Sequence, residues 1–222
     1  FYVQLVDSYS NPLANRTVSI TINGRTYNRT TDVNGWATMN INLQPGEYEA
    51  LCAYYGPQKS DNAFAKAVIK VLPTILADNL VKYYLNGSQF HVKVIDGSGN
   101  PIVNTNVSMN INGVFYVRQT NSEGIATLNI KLWSGKYILT VHNPYDGLLK
   151  SFDVTVLPTI ESNDLVKYYH NDSQFYAKFV DGAGNPLVNT KVKFNINGVL
   201  YTRETNGEGV AKLNINLNPG EY

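Results

Sequence analysis

The sequence predicts an all-β protein: a tandem array of immunoglobulin-like β-sandwich domains of about 85 residues and seven strands each, arranged as an extended rod. Three observations predict it. The chain repeats itself at long period, apolar and polar side chains alternate with a period of two inside each copy, and turn-forming residues recur in register.

The repeat comes first because it sets the boundaries. Phe90–Tyr137 aligns with Phe175–Tyr222 at an offset of 85 and with Phe1–Tyr48 at an offset of 89. Extended back to Leu76 and Glu161, the second and third copies agree at 37 of 62 positions. The difference in offset falls between Tyr54 and Lys66. The phrase Val71-Leu72-Pro73-Thr74-Ile75 recurs as Val156-Leu157-Pro158-Thr159-Ile160, which places boundaries near residues 75 and 160. The expected domains are therefore 1–75, lacking its first strand, 76–160, complete, and 161–222, lacking its last strands. This phase is the one expected of a window on a longer array of the same kind.

Strands follow from the alternation. Val107, Met109 and Ile111 alternate with Ser108, Asn110 and Asn112, as Val18, Ile20 and Ile22 and as Val192, Phe194 and Ile196 do in the other copies. Ala126, Leu128, Ile130 and Leu132 alternate with Thr127, Asn129 and Lys131. One face of each strand is apolar and the other is Asn, Thr or Lys, as in antiparallel sheets with one buried face. Most of the 28 Asn fall on that outer face or in turns. In the second copy the strands are expected over 80–85, 88–96, 104–112, 114–121, 125–132, 136–143 and 150–157. Trp36 aligns with Ile125 and Val210 and is read as core.

The turns have backbone reasons. Asn23-Gly24, Asn112-Gly113 and Asn197-Gly198 each separate two strands, where a two-residue type I′ turn needs positive φ at both positions. Asp96-Gly97-Ser98-Gly99-Asn100-Pro101 and Asp181-Gly182-Ala183-Gly184-Asn185-Pro186 form a longer bend. The spacing Leu, two residues, Gly, one residue, Tyr ends at Tyr48, Tyr137 and Tyr222 and has the form of a tyrosine corner.

These phrases carry a resemblance. Asp-Gly-x-Gly-Asn-Pro, then Asn-Ile-Asn-Gly-Val-x-Tyr, then Thr-Asn-x-Glu-Gly, with Leu-Val-Lys-Tyr-Tyr opening the unit at Leu80 and Leu165, resembles bacterial-Ig-like repeats. More narrowly, it is similar to the tandem repeats of adhesin-like surface proteins of methanogenic archaea. The resemblance implies the sandwich fold and an extracellular, cell-surface location, and specifies no ligand. The first copy departs most, with Ser8-Tyr9-Ser10 in the Gly-rich turn.

Composition narrows function. Eighteen Lys and Arg against 17 Asp and Glu leave a formal charge of +1, without the clustered basic surplus that phosphate neutralisation requires, so no nucleic-acid partner is expected. Ample Tyr, Phe, Val and Ile argue against disorder. No apolar stretch reaches the length of a membrane segment. Cys52, the only cysteine, takes the place of Val141 and is read as a buried thiol. His91, His142 and His170 fall at unrelated repeat positions, without metal-ligand spacing, and no nucleophile elbow, phosphate loop or zinc-protease motif occurs. The chain is read as non-enzymatic.

The remaining candidates concern binding and modification. Asp96 with Asn100 and Asp181 with Asn185, helped by Asp78, Glu161 and Asp164, offer oxygen ligands for calcium, set against the plainer reading as Asx turns. Lys93 and Lys178 lie where some surface domains form strand crosslinks, but the first copy has Gln4 there. Five sequons make Asn15, Asn28, Asn86, Asn106 and Asn171 glycosylation candidates. Trp133, Tyr83, Tyr84, Tyr168 and Tyr169 are the aromatic candidates for ligand contact, glycans above all. The partners expected are neighbouring domains of the same chain, identical chains in a filament, and cell-surface glycans.

Overall fold

The computed structural model describes all 222 residues. The chain divides into two compact units, Phe1–Pro73 and Thr74–Tyr222. Each is all-β; the only helical turn is a short 3₁₀ segment at Lys59–Asp61, within the stretch where the first copy is longer. No helix is long and apolar enough to cross a membrane.

The first unit contains β1 (Tyr2–Gln4), β2 (Thr17–Ile22), β3 (Arg25–Thr30), β4 (Trp36–Thr38), β5 (Gly46–Tyr54) and β6 (Ala63–Val71). They form a four-stranded sheet in the order β3-β2-β5-β6 and a two-stranded sheet β1-β4. The inward residues Val18, Ile20, Ile22, Ala50 and Cys52 of the larger sheet pack with Leu5, Ala37 and Met39 of the smaller side. This is the alternation read as a pleat, since successive side chains point to opposite faces.

The second unit opens with β7 (Ile75–Leu76), β8 (Leu80–Tyr83), β9 (Gln89–Val94), β10 (Asn106–Ile111), β11 (Val114–Gln119), β12 (Ile125–Asn129), β13 (Gly135–His142) and β14 (Leu149–Leu157). A five-stranded sheet, β11-β10-β13-β14-β8, faces a three-stranded sheet, β12-β9-β7. Their inner faces enclose a core that includes Ile75, Phe90, Val92, Met109, Ile111, Leu128, Leu139, Val141 and Val154. All pairs are antiparallel except β8 with β14, where Leu80 stands beside Val154 and Tyr83 beside Leu157. The unit continues through β15 (Ile160–Ser162), β16 (Gln174–Phe179), β17 (Lys191–Ile196), β18 (Val199–Glu204) and β19 (Val210–Asn214). These make a three-stranded sheet β15-β16-β19 and a pair β17-β18 around a separate core of Phe179, Phe194, Ala211 and Leu213.

Two readings of the sequence need correction. Eight strands, not seven, lie between Thr74 and Leu157, because Ile75 and Leu76 pair with Val94 and Lys93. The division between the two compact units falls after Pro73, near residue 75, with Ile75 fully buried in the following core. Trp36 is 39% exposed and not core, since the pleat turns Ala37 inward at 0% exposure and the residue before it outward.

Candidate functional site

The Cys52 thiol lies on the inward face of β5, where burial pushes its pKa up and suppresses the thiolate. The His91 ring nitrogen Nδ1 lies 3.1 Å from Thr127 Oγ1 on the outer face of β9, whereas the exposed His170 packs edge-on to Tyr169 with ring centroids 4.0 Å apart. No group of three or more His, Cys, Asp or Glu converges. Nothing here pairs a nucleophile with a base.

The candidate calcium carboxylates are occupied by their own loops. Asp96 Oδ1 accepts from the backbone N–H of Ser98 and Asn100 at 2.9 and 2.8 Å, and Oδ2 accepts from Asn100 Nδ2 at 3.2 Å. Asp181 repeats this with Ala183 and Asn185, and Asp7 with Tyr9 and Asn11. Donors from Asn100, Asn185 and Asn11 hold the three carboxyl groups below their ordinary pKa. The Asn that would join the Asp as a second oxygen ligand instead turns its amide N–H toward it. The geometry is that of a closed Asx turn.

The tyrosines at the recurrent spacing act on main chain. Tyr48, Tyr137 and Tyr222 each donate their hydroxyl to the carbonyl four residues back, at Gln44, Trp133 and Asn218, over 2.7, 2.9 and 2.9 Å. The aromatic candidates then separate. Trp133 is 74% exposed and lies on Tyr84 with ring centroids 5.0 Å apart and planes 10° from parallel. Tyr84 is half-buried against the core, and Tyr83 is half-buried. Tyr168 and Tyr169 are both exposed.

The sequons also separate. Asn15, Asn28, Asn106 and Asn171 are exposed. Asn28 accepts from Ser19 Oγ at 2.8 Å, and Asn171 Oδ1 accepts from the Ser173 backbone N–H at 2.8 Å. Asn86 is half-buried: its Oδ1 accepts from Ser88 N–H and its Nδ2 donates to the distant carbonyl of Gly182.

Two recurrent features escaped the sequence reading. Lys82, 4% exposed on β8, donates its ammonium to the carbonyls of Asn86, Ser88 and Ile130. Burial pushes its pKa down while the three carbonyls hold the charged form. Its counterpart Lys167 donates to Ser173 and Ile215 at 3.0 and 2.9 Å. The signal was present in Leu-Val-Lys-Tyr-Tyr, where a lysine keeps its place in both copies. Thr31, Thr120 and Thr205 are the second feature: each buried hydroxyl accepts from a main-chain N–H about 15 residues earlier and donates to a carbonyl.

No protein-family model matches the chain, and no curated protein is significantly similar in sequence. Solved structures do match at low identity. A Ca²⁺-stabilised adhesin with which an Antarctic bacterium binds ice is 13% identical over 91% of this chain and 57% of its own, with a TM-score of 0.27. FdeC, an adhesin of Escherichia coli, is 16% identical over 93% and 79%, with a TM-score of 0.29. Invasin, a bacterial integrin-binding protein, is 16% identical over 97% and 50%, with a TM-score of 0.27. The chain spans little more than half the length of the first of these.

Proposed function

We propose that the chain is a non-enzymatic, extracellular segment of a cell-surface stalk or adhesin shaft, built from immunoglobulin-like repeats bounded near residues 75 and 160 and able to associate with identical chains in filaments. One observation carries this reading. At each repeat position the polar groups that could do chemistry are spent on the repeat's own main chain: Asp96 and Asp181 on their turns, Tyr137 and Tyr222 on the carbonyl four back, Lys82 and Lys167 on two or three carbonyls. Such groups fix a shape and leave no reactive centre, and repetition of the shape builds length. The sequons fit an exported chain.

The test is immunogold labelling of intact cells of the source organism with antibodies raised against this chain. Gold standing off from the envelope is the expected result. Labelling only after permeabilisation overturns the reading.

A second reading has its own observation. The indole of Trp133 lies flat on Tyr84 and turns its other face outward, the arrangement that stacks on the apolar face of a sugar ring. On this reading the middle copy binds a surface glycan. Trp133→Ala abolishes attachment to a glycan array if it is right and leaves the array signal unchanged if the chain serves only as a shaft.

A further inference from the structure

Two turns of the second unit meet across 96 residues of sequence. After β8 the chain turns through Leu85, whose φ is +58°, and Asn86 there donates to the carbonyl of Gly182 in the turn that follows β16. A Cβ on Gly182 would lie 3.6 Å from the Asn86 Cα, in ordinary contact. A Cβ on Gly184, where φ is +86°, would lie 2.5 Å from Cε2 of Tyr83 and 2.9 Å from its hydroxyl. Tyr83 therefore lies directly on the backbone of Gly184, at a distance only glycine permits. At the repeat offsets, the residues that would meet Gly99 and Tyr168 in the same way fall outside residues 1–222, so one such joint lies within the chain. Gly97 and Gly99, with the same Asp-Gly-x-Gly-Asn-Pro sequence, have nothing within 4 Å of a Cβ, and Tyr168, the counterpart of Tyr83, is 89% exposed.

We propose that the Tyr83–Asn86 turn and the Gly182–Gly184 turn form a built joint, with the ring of Tyr83 seated on Gly184 and the amide of Asn86 tied to Gly182, that fixes the sandwich of β7–β14 against the strands from β15 onward. The proposal rests on reading the chain as an array of repeats and gives that array its stiffness. A peptide linker alone leaves successive domains free to swing. A seated ring and a side-chain amide bonded to a carbonyl hold two points of the next repeat, and with the covalent linker as a third they restrict both bending and rotation. The glycines of the Asp-Gly-x-Gly turn thus have two separate reasons. Positive φ requires the second in both copies, with Gly99 at +87° and Gly184 at +86°, and the close approach of Tyr83 adds a second reason at Gly184.

That difference supplies the test. Spin labels are placed through Ser151→Cys on β14 and Lys193→Cys on β17 of the full chain carrying Cys52→Val, and the inter-label distance distribution is measured by pulsed electron resonance. The expected result is one narrow distribution, broadened at least twofold by Gly184→Ala and unchanged by Gly99→Ala, which carries the same backbone strain without the collision. Asn86→Ala adds no bulk and broadens the distribution too, which keeps the test open should Gly184→Ala fail to fold. A broad distribution before any joint residue is changed, or equal widths for Gly184→Ala and Gly99→Ala, overturns the joint. Neither of these outcomes touches surface display, which the labelling of intact cells decides separately.

Discussion

Replacement of Lys82 by methionine tests how far the interior of the sandwich depends on a single charge. The variant keeps an unbranched stem of similar length and removes the ammonium. Three acceptors then lose their donor: the Ile130 carbonyl in a buried position at 2.9 Å, and the Asn86 and Ser88 carbonyls in partly buried ones. Leaving one buried acceptor unmet costs about 1–3 kcal/mol, and a hydrogen bond to a charged group contributes about 1.5–3 kcal/mol. Water reaches the two outer carbonyls and recovers part of that, and the variant no longer has to desolvate an ion, an effective penalty of several kcal/mol. The balance is a loss of about 2 kcal/mol. At roughly 2–4 °C per kcal/mol for a unit of this size, the unfolding midpoint falls by about 6 °C. The assay is thermal and urea unfolding followed by Trp133 fluorescence in a Trp36→Phe background, so that only the second unit reports. Lys167→Met, which removes two carbonyl bonds from a half-buried side chain, is expected to cost less than half as much. A Lys82→Met chain within about 0.5 kcal/mol of the parent would refute the reasoning, because desolvation of the ion would then cancel its carbonyl bonds.

Tyr137→Phe removes the hydrogen bond to the Trp133 carbonyl and should destabilise the second unit by about 1 kcal/mol in the same unfolding assay, with an unchanged urea slope. Asp7, Asp96 and Asp181 are expected to titrate below the ordinary 3.8 by carbon-detected NMR. Since the folded value is the lower one, their contribution to stability is complete above pH 3.8 and is lost as the pH falls through the folded pKa. Calcium at millimolar concentration should leave the unfolding midpoint where it is, because both oxygens of Asp96 are already engaged; a rise of several degrees would show that the turn opens to take the ion. Peptide mass spectrometry of protein from its native source should find glycan at Asn171 or another exposed sequon and none at Asn86, whose amide is committed to Gly182.

What was legible in the sequence is what period and turn chemistry encode. The strand expected over 104–112 is β10 at Asn106–Ile111, and that over 150–157 is β14 at Leu149–Leu157, because alternating apolar residues between Gly, Asn and Pro leave little choice of register. A two-residue strand such as β7 has no period to read. Lys82 escaped because alternation assigns charge to the outer face, yet on β8 it is Val81 that is exposed and Lys82 that is buried. Hydrophobicity and orientation disagree there, and only the pattern of carbonyls around the ammonium shows why. Trp36 was misplaced for the opposite reason: ring size suggested burial, whereas the pleat had already given the inward position to Ala37. The joint was invisible because turn residues and alternation encode backbone conformation within a repeat and carry no signal for a contact made across the repeats, such as the ring of Tyr83 on Gly184.

The choice of main chain as the partner explains why these copies can differ where they do. The carbonyl that Tyr137 holds belongs to Trp133, and its counterparts belong to Gln44 and Asn218. A corner that reads a carbonyl is indifferent to the side chain attached to the same residue, so an indole, an amide and an amide stand at one structural position. The same holds where Thr120 clasps the main chain of Thr105 and Thr31 that of Arg16. Each clasp constrains backbone geometry and releases the outward side chain to vary. A scaffold held this way acquires a surface residue such as Trp133, stacked and exposed in one copy alone, without altering the contacts that fold it. The shaft and the glycan-binding readings are for that reason separable at a single residue: the corner uses only the Trp133 carbonyl, so removing the indole costs the fold no more than its stacking on Tyr84, whereas a ligand would require it.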